Sequence, residues 1–136
     1  SSIISLHCPL TTETKHLINK DSLADMQEGV TILNTSRGAL IDTKAIIKSL
    51  KKKKVAYLGI DVYEQEEDLF FRDLSSEILQ DEDISRLMTF PNVLITGHQA
   101  FLTKESLLEI AFITLTNLNE LESGKVVNNI IQNHSK

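Results

Sequence analysis

Four short apolar runs, each followed by a segment suited to a helix, constrain the fold of this 136-residue sequence most strongly. The runs are rich in Val and Ile, which favour buried strands; they cover residues 2–7, 30–34, 55–60 and 93–96. Helix-forming patterns with plausible caps occupy residues 21–26, 43–52, 81–88 and 103–123. Strands that alternate with helices in this order predict an α/β fold, with a parallel sheet and right-handed crossovers.

The stretch 34–42, Asn-Thr-Ser-Arg-Gly-Ala-Leu-Ile-Asp, lies on a predicted strand-to-helix turn. Asp42 or Thr43 can cap the helix that follows. Arg37 therefore stands at the carboxyl end of a strand, which is where open parallel sheets bind ligands. Its guanidinium is a planar fork of donors suited to a carboxylate or phosphate, and Gly38 beside it permits a sharp turn or a close approach.

Chemically capable groups follow two further strands. Asp61 and an acidic cluster over 64–68 come after the third strand, and His98 comes after the fourth. Since the carboxyl ends of parallel strands share one edge, these groups are expected to converge with Arg37. Arg37 can hold an anionic substrate, and His98 can exchange a proton near neutral pH, oriented by a nearby carboxylate.

Bulk properties exclude several classes of function. The net charge of −5 argues against a general nucleic-acid or membrane-surface binder, and no apolar stretch approaches the roughly 20 residues of a membrane span. The basic run 51–54 is interpreted as a solvated helix end. The single Cys8 excludes an internal disulfide and suits a reducing cytoplasm. His7, His16 and His134 are weaker candidates than His98, and no His/Cys spacing indicates a metal site.

Several motifs carry a family resemblance. Together with 34–42, they are Ser-Leu-His-Cys-Pro-Leu-Thr at 5–11, Gly-Ile-Asp-Val-Tyr-Glu at 59–64 and Thr-Gly-His-Gln-Ala-Phe at 96–101. In these motifs the chain resembles the D-2-hydroxyacid dehydrogenases, and within them it is most similar to the bacterial fermentative D-lactate dehydrogenases. The resemblance covers essentially the whole chain; the segment before Pro91, with Asp68 to Phe71, supports the narrower assignment.

The resemblance implies a chemistry and a set of roles. Arg37 would bind the carboxylate and keto oxygen of a small 2-keto acid such as pyruvate. His98 would donate the proton to that oxygen, and Glu66 would be the carboxylate behind His98, with Glu64 as the fallback. The residues expected to line NAD, mostly on its nicotinamide side, are Cys8, Pro9, Thr14, Thr35, Ser36, Arg37, Asp61 and His98. The resemblance also implies a cytoplasmic homo-oligomer.

The sequence departs from the family in one respect. Its five glycines do not form G-x-G-x-x-G, the dinucleotide-binding fingerprint. By resemblance, the chain is the second half of a Rossmann-type doubly wound parallel sheet followed by a long C-terminal helix. Residues 1–102 would be the C-terminal half of the NAD-binding domain, and residues 103–136 a helix and tail returning to the substrate domain. The abrupt start on a strand suggests a piece of a longer protein, expected to have little or no turnover alone.

Alternatives stay open at this point. The chain can be a non-catalytic NAD(H)-sensing or partner-binding module on the same fold, a truncated product without function, or part of a dehydrogenase for another small 2-hydroxy acid. The combination of Arg37, Glu66 and His98 favours an enzyme, because a binding module has no need of all three. The sequence does not distinguish NAD from NADP.

Overall fold

The structure, a computed structural model, describes residues 1–66 and 81–125. The predicted apolar island at 69–71, and the predicted polar tail with His134, lie outside the described residues.

A four-stranded parallel sheet forms the centre of the structure, as predicted. Its strands are β1 (Ile3–Leu6), β2 (Val30–Asn34), β3 (Val55–Ile60) and β4 (Val93–Ile95), and they lie in that order. Each strand pairs with the next along the chain; Leu6 lies opposite Asn34, Asn34 opposite Ile60, and Ile60 opposite Ile95. The carboxyl ends of all four strands are therefore aligned at one edge of the sheet.

The helices of the α/β part are α1 (Lys20–Asp25), α2 (Thr43–Lys51) and α3 (Glu82–Met88). Side chains alternate between the two faces of a strand, so β2 directs Val30 and Ile32 into the core, while Leu33, next to Ile32, is exposed. Ile46 and Leu50, one helical turn apart on α2, belong to the same buried cluster. This packing buries three residues each of β2 and β3, whereas only the last residue of β1 and none of β4 is fully buried.

The start of α1 differs from the sequence prediction. Asp21 or Ser22 was the expected cap, but Asn19 is the N-cap, and its side chain accepts hydrogen bonds from the amides of Asp21 and Ser22. The hydroxyl of Ser22 in turn accepts a hydrogen bond from the amide of Asn19, which completes a capping box. Residues 12–16 form turns, and Ile18 then pairs with Ile41 in an isolated β-bridge, so the helix begins only after Ile18. Asp42 caps α2 and Asp81 caps α3.

The chain divides into two compact units, with the boundary between Ala100 and Phe101. The second unit contains α4 (Lys104–Glu122), which is capped by Thr103. The sequence predicted a helix with one apolar face, but the apolar surface is broader, because Ile110, Ala111, Phe112 and Ile113 are consecutive and point in four directions around the axis. Within the described residues no helix has both the length and the hydropathy to cross a membrane.

Candidate active site

The turn after β2 is shaped by the side chain of Asn34, which is fully buried. Its Oδ1 accepts a hydrogen bond from the amide of Ser36 at 3.1 Å, and its Nδ2 donates to the carbonyl of Arg37 at 2.9 Å. Arg37 is exposed, and its Nη1 donates to the carbonyl of Ser36 at 2.7 Å. The buried amide thus fixes the backbone from which the guanidinium projects.

Gly38 is required by a close approach between two loops. A Cβ built at this position would lie 2.0 Å from the carbonyl carbon of Tyr63 and 2.5 Å from the amide nitrogen of Glu64. No side chain can occupy that space without moving backbone. The backbone of the Arg37 turn therefore packs directly against the backbone of the loop after β3.

The loop after β3 carries two glutamates that bond different histidines. Oε1 of Glu66 lies 3.1 Å from Nδ1 of His98, and Oε1 of Glu64 lies 2.6 Å from Nε2 of His16. An ionised carboxylate only accepts hydrogen bonds, so Nδ1 of His98 carries the proton in its bond to Glu66. The two glutamates, which lie two positions apart, therefore have different histidine partners.

The turn that carries His98 is held by Asp61, which is only 4% exposed. The carboxylate of Asp61 accepts hydrogen bonds from the Thr96 hydroxyl and from the amides of Gln99 and Ala100, while the carbonyl of Asp61 accepts one from the amide of His98 at 2.7 Å. Burial by itself raises the pKa of Asp61, but these hydrogen bonds and the nearby His98 outweigh it and lower the pKa below its usual value. Asp61 therefore supports the turn as a carboxylate.

The remaining predicted residues lie at the ends of β1 and β2. The Ser36 hydroxyl donates to the carbonyl of Cys8 at 2.7 Å, and the Thr14 hydroxyl donates to the carbonyl of Pro9 at 2.8 Å. Thr35, the residue directly before Ser36, is exposed. Ser36 and Thr14 thus hold the backbone after β1 in place, whereas Thr35 and Arg37 present donors to solvent.

Sequence reasoning overlooked three contributors to this edge. Thr96 bonds Asp61, Thr43 bonds Glu64, and His16 was ranked among the weaker histidines. A polar residue at the end of a strand was a visible signal for Thr96. His16 gave none, because Glu64 is 48 positions away and only the folded chain brings the two together. Within the described residues, no group of three or more His, Cys, Asp or Glu side chains could hold a metal ion.

Comparisons with known proteins agree with this architecture. Residues 1–100 match the family model of the D-isomer specific 2-hydroxyacid dehydrogenase NAD binding domain. The chain is 56% identical over 131 residues to a 2-hydroxyacid dehydrogenase homolog of Haemophilus influenzae, covering 96% of this chain and 40% of that protein. It is 54% identical over 129 residues to D-lactate dehydrogenase of Escherichia coli, covering 95% and 39%. The crystal structure of D-lactate dehydrogenase with NAD+ from Lactobacillus jensenii superposes with a TM-score of 0.87 at 32% identity, covering 97% and 40%.

The parallel sheet, with the carboxyl ends of its strands aligned at one edge, defines an α/β domain of the Rossmann type. The chain belongs to the D-isomer specific 2-hydroxyacid dehydrogenases. Its residues 1–100 match the NAD-binding domain of that family. It spans about 40% of the length of the relatives that it matches.

The donors at this edge fit part of a dinucleotide. The exposed Thr35 hydroxyl and Arg37 guanidinium can donate to ribose or carbonyl oxygens, and the fixed carbonyls of Cys8 and Pro9 can accept from an amide. The described residues contain no G-x-G-x-x-G turn, which is the usual cradle of the pyrophosphate. The residues present therefore fit one end of NAD and leave its pyrophosphate to other sequence.

Proposed function

We propose that this chain is part of an NAD-dependent D-lactate dehydrogenase that reduces pyruvate to D-lactate. When bound, NADH supplies the hydride for the keto carbon. The roles inferred for the chain concern anion binding and proton transfer. We also infer that the protein is cytoplasmic and homo-oligomeric. Light scattering on the purified protein would measure its oligomeric state.

Arg37 would bind the pyruvate carboxylate and orient the keto group. Its fork of donors matches a planar carboxylate in two parallel hydrogen bonds, so the substrate is fixed in direction as well as position. Holding the reacting groups in this geometry removes much of the entropic part of the barrier.

His98 would donate a proton from Nε2 to the keto oxygen as it becomes an alcohol. Glu66 holds Nδ1 at 3.1 Å, and so fixes both the tautomer and the direction of the ring. This pair is the observation that carries the proposal, because a module that only binds nucleotide has no use for an oriented proton donor. The similarity to named D-lactate dehydrogenases supports pyruvate as the substrate.

A chimaera tests the proposal. Residues 1–136 replace the matching segment of the Escherichia coli D-lactate dehydrogenase, and NADH oxidation is followed with pyruvate and with bulkier 2-keto acids. We expect turnover with pyruvate, and we expect His98→Ala to lower kcat/KM by on the order of 10²- to 10⁴-fold, the usual contribution of a general acid. Arg86→Lys, which changes an exposed arginine stacked near Phe90, is a control that keeps full activity.

The alternatives predict different results. A chimaera that binds NADH but reduces no 2-keto acid would favour the non-catalytic module. Preference for a bulkier keto acid over pyruvate would assign the chain to a different 2-hydroxyacid dehydrogenase. Robust turnover by the 136-residue chain alone would contradict the inference that it needs the rest of the enzyme.

A further inference from the structure

Glu64 links two segments that are distant in sequence. Its Oε1 lies 2.6 Å from Nε2 of His16, and its Oε2 accepts hydrogen bonds from the hydroxyl and the amide of Thr43 at 3.0 and 3.4 Å. Thr43 is the first residue of α2, so the carboxylate also lies at the positive end of a helix. Each oxygen of Glu64 is therefore held by a different segment.

The segment containing His16 is itself fixed to the Arg37 turn. The amide of His16 donates to the carbonyl of Ala39 at 2.8 Å, and the amide of Ile18 donates to the carbonyl of Leu40 at 2.9 Å. The φ of His16 is +52°, a left-handed conformation that a non-glycine residue adopts only when its surroundings hold it. The backbone of His16 is thus held in place by hydrogen bonds to the segment after Arg37.

The loop from Tyr63 to Glu66 transmits this anchoring to the proton donor. Oε2 of Glu66 accepts a hydrogen bond from the amide of Tyr63 at 3.0 Å, while Oε1 holds His98. Glu64 lies between these two residues in sequence. A shift of Glu64 would therefore carry the Tyr63 amide with it and move the carboxylate that orients His98.

We propose that His16 and Thr43 are positioning residues for the Glu66–His98 pair and act through Glu64. The proposal rests on the proposed function for its catalytic consequence, although the geometric link exists without it. The rival explanation is that Tyr63 alone anchors the loop, since its ring is buried and its hydroxyl donates to Asp81 at 2.8 Å.

Four variants separate these explanations. His16→Ala removes the ring, and His16→Gln retains a nitrogen donor near the position of Nε2. Thr43→Val keeps the shape of a buried side chain but removes the hydroxyl that bonds Glu64. Glu28→Gln is the matched control, because Glu28 pairs with Lys54 at 3.1 Å just before β2 and β3 begin, at the opposite edge of the sheet from the site.

The kinetic test uses the chimaera. We expect His16→Ala and Thr43→Val each to lower kcat about tenfold. This is a smaller loss than the roughly 100-fold that a 1 Å misplacement of a reacting group can cause. The KM for pyruvate should change little, because the lost interaction acts on proton transfer and not on substrate binding. His16→Gln should recover most of the rate, and Glu28→Gln should keep all of it.

A second measurement needs no cofactor. In the 136-residue chain with ¹⁵N-labelled histidine, the Nδ1–H proton of His98 should give an NMR signal protected by its bond to Glu66. We expect faster solvent exchange of that proton in His16→Ala and Thr43→Val, and unchanged exchange in Glu28→Gln.

The outcomes are distinguishable. An unchanged His98 signal together with unchanged kcat in both His16→Ala and Thr43→Val would overturn the positioning role and favour Tyr63. If the unsubstituted chimaera reduces no 2-keto acid, the proposed function fails, yet the His98 signal still decides the link. If His16→Ala does not fold, Thr43→Val provides the same decision.

Discussion

At the scale of single residues, Asp61 shows how the environment decides what a carboxylate does. The resemblance to the family implies that Asp61 lines the cofactor, and this stays a prediction. The folded chain adds a second use, since three donors of the 96–100 turn converge on it. These donors come from residues 35 to 39 positions away, so no local pattern could indicate them.

The two glutamates make the same point. Glu64 and Glu66 were both open as the partner of His98 because they lie two positions apart in an acidic run. The turn at Tyr63 to Glu66 points them in different directions, and the structure brings Glu66 to His98. The chemical types were readable from the sequence, but the pairing depended on a turn whose conformation is set by contacts elsewhere.

Asp61→Asn should destabilise the chain in a pH-dependent way. An amide nitrogen replaces one accepting oxygen, so at least one buried donor of the turn loses its partner, at a cost of about 1–3 kcal/mol at pH 7. The pKa of Asp61 is lowered in the folded state. Its ionisation therefore stabilises the fold above the unfolded pKa of about 3.9, and this contribution is lost as the pH falls through the folded pKa.

Urea unfolding of both forms at a series of pH values checks this prediction. The difference in unfolding free energy should be largest near neutral pH and should shrink below about pH 4. Asp25→Asn, on the exposed surface of α1, serves as the control and should give only a small difference in unfolding free energy. A pH-independent penalty for Asp61→Asn would contradict the assignment.

At the scale of elements, the sequence predicted the kinds and order of the described strands and helices. It succeeded because strand and helix periodicities differ and because Gly and Pro separate them. It failed at boundaries that depend on tertiary contacts. The start of α1 is the clearest case, since the pairing of Ile18 with Ile41 chooses Asn19 among three residues that can all cap a helix.

Asn19→Ala should cost about 1 kcal/mol of unfolding free energy, the typical value for loss of an N-cap. Asn19 also donates to the carbonyl of His16 at 2.9 Å, so the loss can exceed that of an isolated helix. Asp21→Ala, at the position that the sequence suggested, should cost no more than about 0.5 kcal/mol. Equal losses in the two variants, measured by urea unfolding, would show that Asn19 does not act as the cap.

At the scale of the whole molecule, the order of the described strands bears on where a ligand can bind. Ligands of open α/β sheets bind where the strand order reverses. The described strands run β1-β2-β3-β4 in one direction and include no reversal. A crevice of that kind would therefore need further strands, and the chain spans about 40% of the length of the relatives that it matches.

The 136-residue chain should consequently bind NADH weakly. We expect its Kd to exceed that of the chimaera by at least about 100-fold, because the pyrophosphate lacks the helix N-terminus that normally receives it. Titration of NADH fluorescence measures both values, and the Arg86→Lys chimaera, which leaves every residue of the candidate site in place, serves as a reference. Equal affinities for the chain and the chimaera would contradict this picture.

The close contact at Gly38 has a consequence for protein engineering. Because the peptide between Tyr63 and Glu64 rests on that glycine with no room for a methyl group, the Arg37 turn and the loop that carries Glu66 cannot be altered independently. A designer who wishes to move this chemistry to another parallel sheet must transplant both loops as one graft. In directed evolution of substrate range, we expect substitutions that face solvent around Arg37 to be accepted. Substitutions of Gly38 should be rejected.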